Sequence, residues 1–150
     1  MIRWGVIGLG KMGQIFIEET QNLQNAKLVA IASKTASKLD YHGKKHNINQ
    51  KLRFDNYEDL IKEDSVDAVY IATLNNSHVD LILKCYEKNK KILCEKPAAL
   101  NLSEINKFKN LLNYNNFYEA IAYYSNPQTD EIIKIIKDNE IGEIRKIEAS

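Results

Sequence analysis

The sequence predicts an α/β fold in which a parallel sheet carries helices on both faces. Short apolar stretches alternate six times with segments of helical periodicity, which is typical of strand–helix–strand units. The apolar stretches are nearly continuous, as expected for strands that are buried on both faces. A glycine-rich turn connects the first apolar stretch to the first helical segment.

The predicted elements follow one another in a regular order. Apolar stretches predict strands at residues 2–7, 28–32, 52–54, 66–72, 91–95 and 117–122. Helical periodicity and capping residues predict helices at residues 11–24, 36–45, 57–61, 78–88 and 103–112. Because parallel strands are joined by right-handed crossovers, this order indicates a doubly wound sheet of the Rossmann type.

The pattern changes near residue 125. Pro127 begins a predicted helix that ends near Asn139, and residues 142–150 alternate like a strand with one exposed face. A lone strand needs a sheet to join, and the sequence provides no partner for it. We therefore predict that residues 1–124 form the Rossmann domain. Residues 125–150 would be the connecting helix and first strand of a second, α+β domain that this chain lacks.

The composition argues against several classes of function. The formal net charge is +1 with acidic and basic residues mixed, which gives no reason to expect a nucleic acid or membrane partner. No apolar run has the length of a transmembrane helix or the form of a signal peptide. Cys85 and Cys94 form no C-x-x-C pair, so we expect reduced thiols, no metal site and a cytoplasmic protein.

Residues 8–13, here called the glycine turn, read G-x-G-x-x-G and lie between the first strand and the first helix. Gly8 would allow the tight turn, Gly10 the close approach of a pyrophosphate, and Gly13 the contact of helix with strand. Lys11 and Met12 complete the turn at the helix N-terminus, where free N–H groups attract phosphate. The pattern predicts that the glycine turn binds a dinucleotide.

The end of the second strand indicates which dinucleotide is bound. An NAD-selective site usually has Asp or Glu there to bind the ribose 2′-hydroxyl. This chain has Ser33 and Lys34, with Lys38 close behind. Hydroxyl and ammonium groups would bind a 2′-phosphate, which a carboxylate would repel. We predict NADP as the cofactor, with NAD as the alternative.

Two more polar segments follow strands of the predicted sheet. Residues 73–78 come after the fourth strand, and residues 95–98, here called the proline turn, come after the fifth. Ligands of open α/β sheets bind at the carboxyl ends of the strands. Both segments should therefore face the cofactor crevice.

Four segments, residues 8–13, 75–78, 95–101 and 141–144, occur in a characteristic order and spacing. In them the chain resembles the glucose–fructose oxidoreductase, inositol dehydrogenase and rhizopine-catabolism (Gfo/Idh/MocA) family. The resemblance implies a Rossmann domain followed by a mainly antiparallel α+β domain. It also implies hydride transfer between NAD(P) and a secondary alcohol or carbonyl carbon, often of a sugar or cyclic polyol.

The resemblance also implies roles for the proline turn. Lys96 would be the catalytic residue, lying beside the nicotinamide and the reacting oxygen of the substrate. Its ammonium would stabilise a developing alkoxide and relay the proton. Glu95 would face the nicotinamide ribose, and Pro97 would fix the turn, in that family often as a cis bond.

The same resemblance extends to the segment after the fourth strand. Thr73, Asn75 and His78 would line the cofactor pocket. Two features depart from the family pattern: Ala98 stands where a larger apolar residue is usual, and residues 119–124 match only loosely. We assign the tyrosines of that last segment no role.

The implied partners are a sugar-like or polyol substrate and a second copy of the protein bound through the second domain. The remaining acid/base residues of the family belong to that domain, so we expect no turnover from this chain alone. One alternative is a non-catalytic dinucleotide-binding module. Another is a methyltransferase, which Ser33 and Lys34 argue against because that class usually has an acid at the same place.

Overall fold

A computed structural model describes residues 1–113 and 115–148 of the chain. The chain divides into two compact units, one of residues 1–120 and one that begins at Ile121. The first unit is a parallel sheet of six strands with helices on both faces. No helix of the described residues is long and apolar enough to cross a bilayer.

Strands and helices alternate through the first unit as the sequence predicts. Its elements are β1 Ile2–Ile7, α1 Lys11–Thr20, β2 Ala26–Ala32, α2 Ala36–Lys45, β3 Arg53–Phe54, α3 Tyr57–Lys62, β4 Ala68–Ile71, α4 His78–Glu87, β5 Lys91–Cys94, α5 Leu102–Phe108 and β6 Phe117–Glu119. The second unit contains α6, Pro127–Lys137.

The strand order across the sheet is β3-β2-β1-β4-β5-β6. The chain first builds outward from β1 to β3 and then returns to place β4 on the other side of β1. This reversal leaves a crevice between β1 and β4 at the carboxyl ends of the strands, where such sheets bind ligands. The predicted Rossmann-type, doubly wound sheet is confirmed.

The strands are buried on both faces because successive side chains point to opposite sides of the sheet. Val6 and Tyr70 belong to the core layer that α1 and α2 cover. Their chain neighbours Ile7 and Ile71 belong to the layer that α3, α4 and α5 cover. The apolar runs of the sequence therefore supply both layers at once.

Three predicted elements end at least three residues earlier than expected. Helix α1 ends at Thr20 rather than at residue 24, and Leu23, which was predicted to lie on its apolar face, is 53% exposed. Helix α5 ends at Phe108 and continues as a 3-10 helix, Lys109–Asn113. Strand β6 ends at Glu119, and a 3-10 turn at Ala122–Ser125 replaces its predicted end.

The second unit confirms a helix but not a strand. Pro127 occupies the first turn of α6, and the Asn126 side chain accepts the N–H of Gln128 as its cap. The strand predicted at residues 142–150 would pair within a second domain and stays a prediction, since residues 144–148 have no regular secondary structure in this chain alone. A single strand is not stable without a partner. The last two residues of that prediction lie outside the described residues.

Candidate cofactor site

Three segments meet at the carboxyl ends of adjacent strands. The glycine turn follows β1, residues 73–78 follow β4, and the proline turn follows β5. Since these strands are neighbours in the order β1-β4-β5, the three predicted site segments share one edge of the sheet. The fold thus brings together what the sequence separates by more than 80 residues.

Two glycines of the glycine turn have no room for a side chain. Gly8 has φ of +95°, and a Cβ there would lie 2.4 Å from the carbonyl oxygen of Ala72 at the end of β4. A Cβ at Gly13 would lie 2.0 Å from the carbonyl oxygen of Gly8. The turn is therefore held by direct backbone contact between β1, α1 and β4.

Gly10 is different, because its backbone conformation does not require glycine. It caps α1 with φ of −79° and ψ of −171°, an extended conformation that any residue adopts. A Cβ there would meet no atom of the described residues within 4 Å. The open space beside Gly10, here called the cradle, leaves room for a ligand at the N-terminus of α1.

The N-terminus of α1 faces this cradle with the groups that bind phosphate. The first N–H groups of a helix have no acceptor within the helix, and the helix dipole is positive at this end. The first turn of α1 carries no acidic residue. Lys11 and Met12 are exposed at the start of the helix. These features fit a pyrophosphate.

The end of β2 presents two ammonium groups and a buried hydroxyl. Ser33 is 5% exposed, and its Oγ accepts the N–H of Thr35 at 3.1 Å. Lys34 is exposed, with its Nζ 5.3 Å from the centroid of the Tyr57 ring, and Lys38 is also exposed. The hydrogen bond of Ser33 shapes the loop, and Lys34 and Lys38 are two exposed cationic side chains close to it in sequence.

The segment after β4 is a compact polar turn. A 3-10 turn, Asn75–Ser77, leads into α4, and the hydroxyls of Thr73 and Ser77 lie 2.7 Å apart. The hydroxyl of Ser77 also contacts the carbonyl oxygen of Leu74 at 2.7 Å. Asn75 is exposed and Thr73 is half-buried.

His78 does not lie at the surface of the crevice. It is fully buried, with Nδ1 2.9 Å from the carbonyl oxygen of Pro97 and Nε2 3.2 Å from that of Thr73. Because both ring nitrogens face protein carbonyls, the ring joins the segment after β4 to the proline turn. This burial differs from the pocket-lining position that we expected from the sequence.

The proline turn contains a cis peptide bond between Lys96 and Pro97, as the family resemblance implies. One carboxylate oxygen of Glu95 accepts the hydroxyl of Tyr70 at 2.5 Å, and the other accepts the N–H of Lys96 at 3.3 Å. The Lys96 side chain is exposed. The turn thus fixes the carboxylate of Glu95 and leaves the Lys96 side chain exposed.

Tyr70 is a site residue that the sequence reasoning missed. It is 2% exposed, and its ring stacks on Phe16 of α1 with centroids 4.1 Å apart. Burial, and then the hydrogen bond to Glu95, raises the pKa of Tyr70 well above its ordinary value, so the hydroxyl stays a donor. Its place in an apolar strand gave no sign of this role.

Glu119 is the second residue that was missed. Its Oε1 accepts the N–H of Ala98 at 2.7 Å, so β6 also contacts the proline turn. Ala98 is buried in the core layer beneath α4 and α5. A position at the carboxyl end of a neighbouring parallel strand was a usable signal, because it places Glu119 at the same edge of the sheet.

Neither cysteine of the chain is a reactive group. Cys85 and Cys94 are both free and buried, as predicted. Burial raises the pKa of the Cys85 thiol to about 12 and that of Cys94 still further, which keeps both thiols protonated. Within the described residues, no three His, Cys, Asp or Glu side chains are grouped so as to hold a metal ion.

Curated relatives match this chain along almost its whole length. Trans-1,2-dihydrobenzene-1,2-diol dehydrogenase of Xenopus tropicalis is 28% identical over 151 residues, which cover 98% of this chain and 45% of the relative. The human enzyme of the same name is 26% identical and matches 96% of this chain and 44% of its own length. The chain spans less than half the length of these relatives.

Solved structures share the fold. Scyllo-inositol dehydrogenase from Lactobacillus casei, in a crystal structure with bound NAD(H) and scyllo-inositol, superposes with a TM-score of 0.86 at 23% identity. The match covers 96% of this chain and 43% of that one. A probable dehydrogenase from Thermotoga maritima gives a TM-score of 0.84 at 25% identity, over 94% of this chain and 42% of that one.

The family model for an oxidoreductase family with an NAD-binding Rossmann fold matches residues 2–137. The match includes the glycine turn, the segment after β4 and the proline turn. With the strand order and the backbone contacts of the glycine turn, it leads to one conclusion: the chain belongs to the Gfo/Idh/MocA family of oxidoreductases.

Proposed function

We propose that this chain binds NADP(H), and NAD(H) more weakly, as the cofactor-binding part of an oxidoreductase that acts on a secondary alcohol or carbonyl. The observation that carries the proposal is the open cradle at Gly10. A side chain has room there, yet the position holds glycine beside the N-terminus of α1. A pyrophosphate in the cradle would accept the free N–H groups of that helix.

The preference for NADP(H) is supported by charge at the end of β2. Lys34 and Lys38 are exposed there, and residues 33–39 contain no carboxylate. Two ammonium groups stabilise a 2′-phosphate through charge-assisted hydrogen bonds. The face of Tyr57 supports the Lys34 side chain beside this position through a cation–π contact.

The proposed catalytic group is the ammonium of Lys96. When bound, the nicotinamide supplies a hydride donor or acceptor. Lys96 would lie beside the substrate oxygen, stabilise negative charge that develops there and pass a proton to or from it. The bond from Tyr70 to Glu95 and that from His78 to Pro97 would hold the turn that carries Lys96.

The proposed substrate is a small polyol or sugar derivative. The relatives' names support this class, since they refer to a diol dehydrogenase and an inositol dehydrogenase. These relatives are more than twice as long as the chain, so we propose that turnover requires a further domain. That domain would also hold the substrate and join two copies of the protein.

Isothermal titration of the chain with NADPH and NADH tests the cofactor proposal. We expect NADPH to bind about tenfold more tightly, because the 2′-phosphate gains charge-assisted contacts. Lys34→Ala should raise the Kd for NADPH about tenfold and leave that for NADH within about twofold. Lys44→Ala, an exposed lysine of α2 paired with Asp40, is the matched control and should change neither.

Two outcomes would count against the proposal in different ways. Equal or tighter binding of NADH would remove the preference for NADP(H) but keep the dinucleotide site. Failure of both dinucleotides to bind the folded chain would remove the proposed function itself.

A further inference from the structure

The proline turn is held from two sides by elements that are distant in sequence. His78 at the start of α4 contacts the carbonyl oxygen of Pro97, and Glu119 at the end of β6 accepts the N–H of Ala98. Strand β6 is itself fixed to β5, because Cys94 pairs with Glu119 and the N–H of Ala120 donates to the Cys94 carbonyl at 2.7 Å. The proline turn therefore begins at the end of β5 and is also hydrogen-bonded to β6 through Glu119.

The bond from Ala98 to Glu119 is of the strong kind. An ionised carboxylate accepts a backbone N–H more tightly than a neutral oxygen does. Ala98 is 5% exposed, so its N–H would lack solvent as a replacement partner if the carboxylate were removed. Among the described residues, Glu119 forms no ion pair that competes for this carboxylate.

The N–H of Ala98, which Glu119 accepts, lies two residues after the exposed Lys96. Fixing Ala98 on one side and Glu95 on the other leaves the backbone of Lys96 little freedom to tilt. The Glu95 side is fixed by the hydroxyl of Tyr70, and the Ala98 side by Glu119. The direction in which the Lys96 side chain leaves the turn is thus set by two side chains of the sheet.

We propose that Glu119 is a positioning residue for the nicotinamide side of the site: by holding the N–H of Ala98 it sets the direction of Lys96. This inference rests on the proposed function, because it assigns Lys96 to that side. It gives a role to Glu119, the first residue of the segment 119–124 that matches the family only loosely.

Three variants test the role of the Glu119 carboxylate as acceptor of the Ala98 N–H. Glu119→Leu removes it at similar volume, whereas Glu119→Gln keeps an oxygen that can accept the Ala98 N–H. Glu119→Asp keeps the charge but withdraws the oxygen by one methylene, and it serves if Glu119→Leu does not fold. The matched control is Glu104→Leu, since Glu104 accepts the N–H of Leu100 at 2.7 Å but is not tied to the proline turn.

The first measurement needs no ligand. Amide hydrogen exchange at Ala98, read by NMR, should be slow in the native chain and in Glu119→Gln. It should speed up at least tenfold in Glu119→Leu, because the amide has lost its acceptor. It should be unchanged in Glu104→Leu. Unchanged protection in Glu119→Leu would show that Glu119 does not hold the turn.

The second measurement separates positioning from simple structural support. We compare the Kd for NADPH with that for adenosine 2′,5′-bisphosphate, which carries only the adenine side. Glu119→Leu should raise the Kd for NADPH about fivefold, as expected for one lost positioning bond, and leave the Kd for adenosine 2′,5′-bisphosphate within about twofold. Glu119→Gln should restore the ratio, and Glu104→Leu should keep it.

The outcomes distinguish this inference from the proposed function. An unchanged ratio in Glu119→Leu, with normal binding by the native chain, would overturn the positioning role alone. A similar loss for both ligands would also overturn it, because that is the effect of general loosening. A native chain that binds neither ligand would overturn the proposed function, and the role of Glu119 with it.

Discussion

The glycine turn and the proline turn lie at the same edge of the sheet but are built in different ways. Backbone contacts hold the glycine turn, where Gly8 and Gly13 leave no space for a Cβ against Ala72 and against each other. Side chains from three other elements hold the proline turn: Tyr70 of β4, His78 of α4 and Glu119 of β6. The first is specified by a short local sequence, and the second depends on where distant strands and helices lie.

This difference predicts how each turn responds to substitution. A side chain added to the glycine turn has to displace backbone or ligand, so its effect should be nearly all or none. A bond lost at the proline turn leaves the others in place, so effects there should be graded. The following predictions test that contrast.

The largest expected effect is the loss of stability in Gly13→Ala. The new methyl group would lie 2.0 Å from the carbonyl oxygen of Gly8, and neither backbone can yield without separating α1 from β1. We expect the free energy of unfolding to fall by about 3 kcal/mol, measured by urea denaturation. A loss below about 1 kcal/mol would show that the turn is not tightly packed.

A smaller, graded effect is expected for Lys96→Ala. The variant should bind NADPH about fivefold more weakly, because one charged contact on the nicotinamide side is removed. Binding of adenosine 2′,5′-bisphosphate should stay within about twofold. The control is Lys91→Ala, because Lys91 is an exposed lysine at the start of β5, the strand that ends just before Lys96. A large loss of affinity for the adenine-side fragment would contradict the placement of Lys96.

The smallest effect concerns the contact between α1 and α2. The rings of His42 and His46 stack with centroids 5.9 Å apart. Gln21, which follows α1, contacts His46, and Glu18 of α1 accepts a hydrogen bond from Lys45. Burial lowers the pKa of both histidines below the ordinary 6.5, and the positive charge of Lys45 adds to the effect while Glu18 opposes it. Both rings are therefore neutral in the folded chain near neutral pH.

The sign of the pH dependence follows from these shifts. As the pH falls through 6.5, His42 and His46 become protonated in the unfolded chain but stay neutral in the folded chain. The folded chain therefore loses stability as the pH falls further. The slope should be at most about 1.4 kcal/mol per pH unit for each histidine. Urea denaturation between pH 7.5 and 5.5 measures it, and His42→Leu should flatten the curve. The same slope in both proteins would contradict the assignment.

The same contrast explains how much could be predicted from the sequence. The backbone contacts of Gly8 and Gly13 could be predicted, because the G-x-G-x-x-G pattern specifies a local geometry between a strand and a helix, whereas binding of a cofactor at Gly10 stays a prediction. The doubly wound parallel sheet followed from the alternation of strands and helices. Cis Pro97 and the exposed Lys96 agree with the resemblance, which carried information that periodicity lacks.

What escaped prediction depends on tertiary contacts. Tyr70 looks like one more apolar strand residue until β5 brings Glu95 beside its hydroxyl. From the sequence, His78 was predicted to line the pocket. In the fold its two ring nitrogens lie beside the carbonyl oxygens of Thr73 and Pro97 instead.

The most direct test of the central claim is Gly10→Ala. The position has an extended backbone, and no atom of the described residues lies within 4 Å of the added methyl group. We predict a free energy of unfolding within about 1 kcal/mol of that of the native chain, and at least about tenfold weaker binding of NADPH. A stable variant that still binds NADPH with native affinity would contradict a pyrophosphate at the N-terminus of α1.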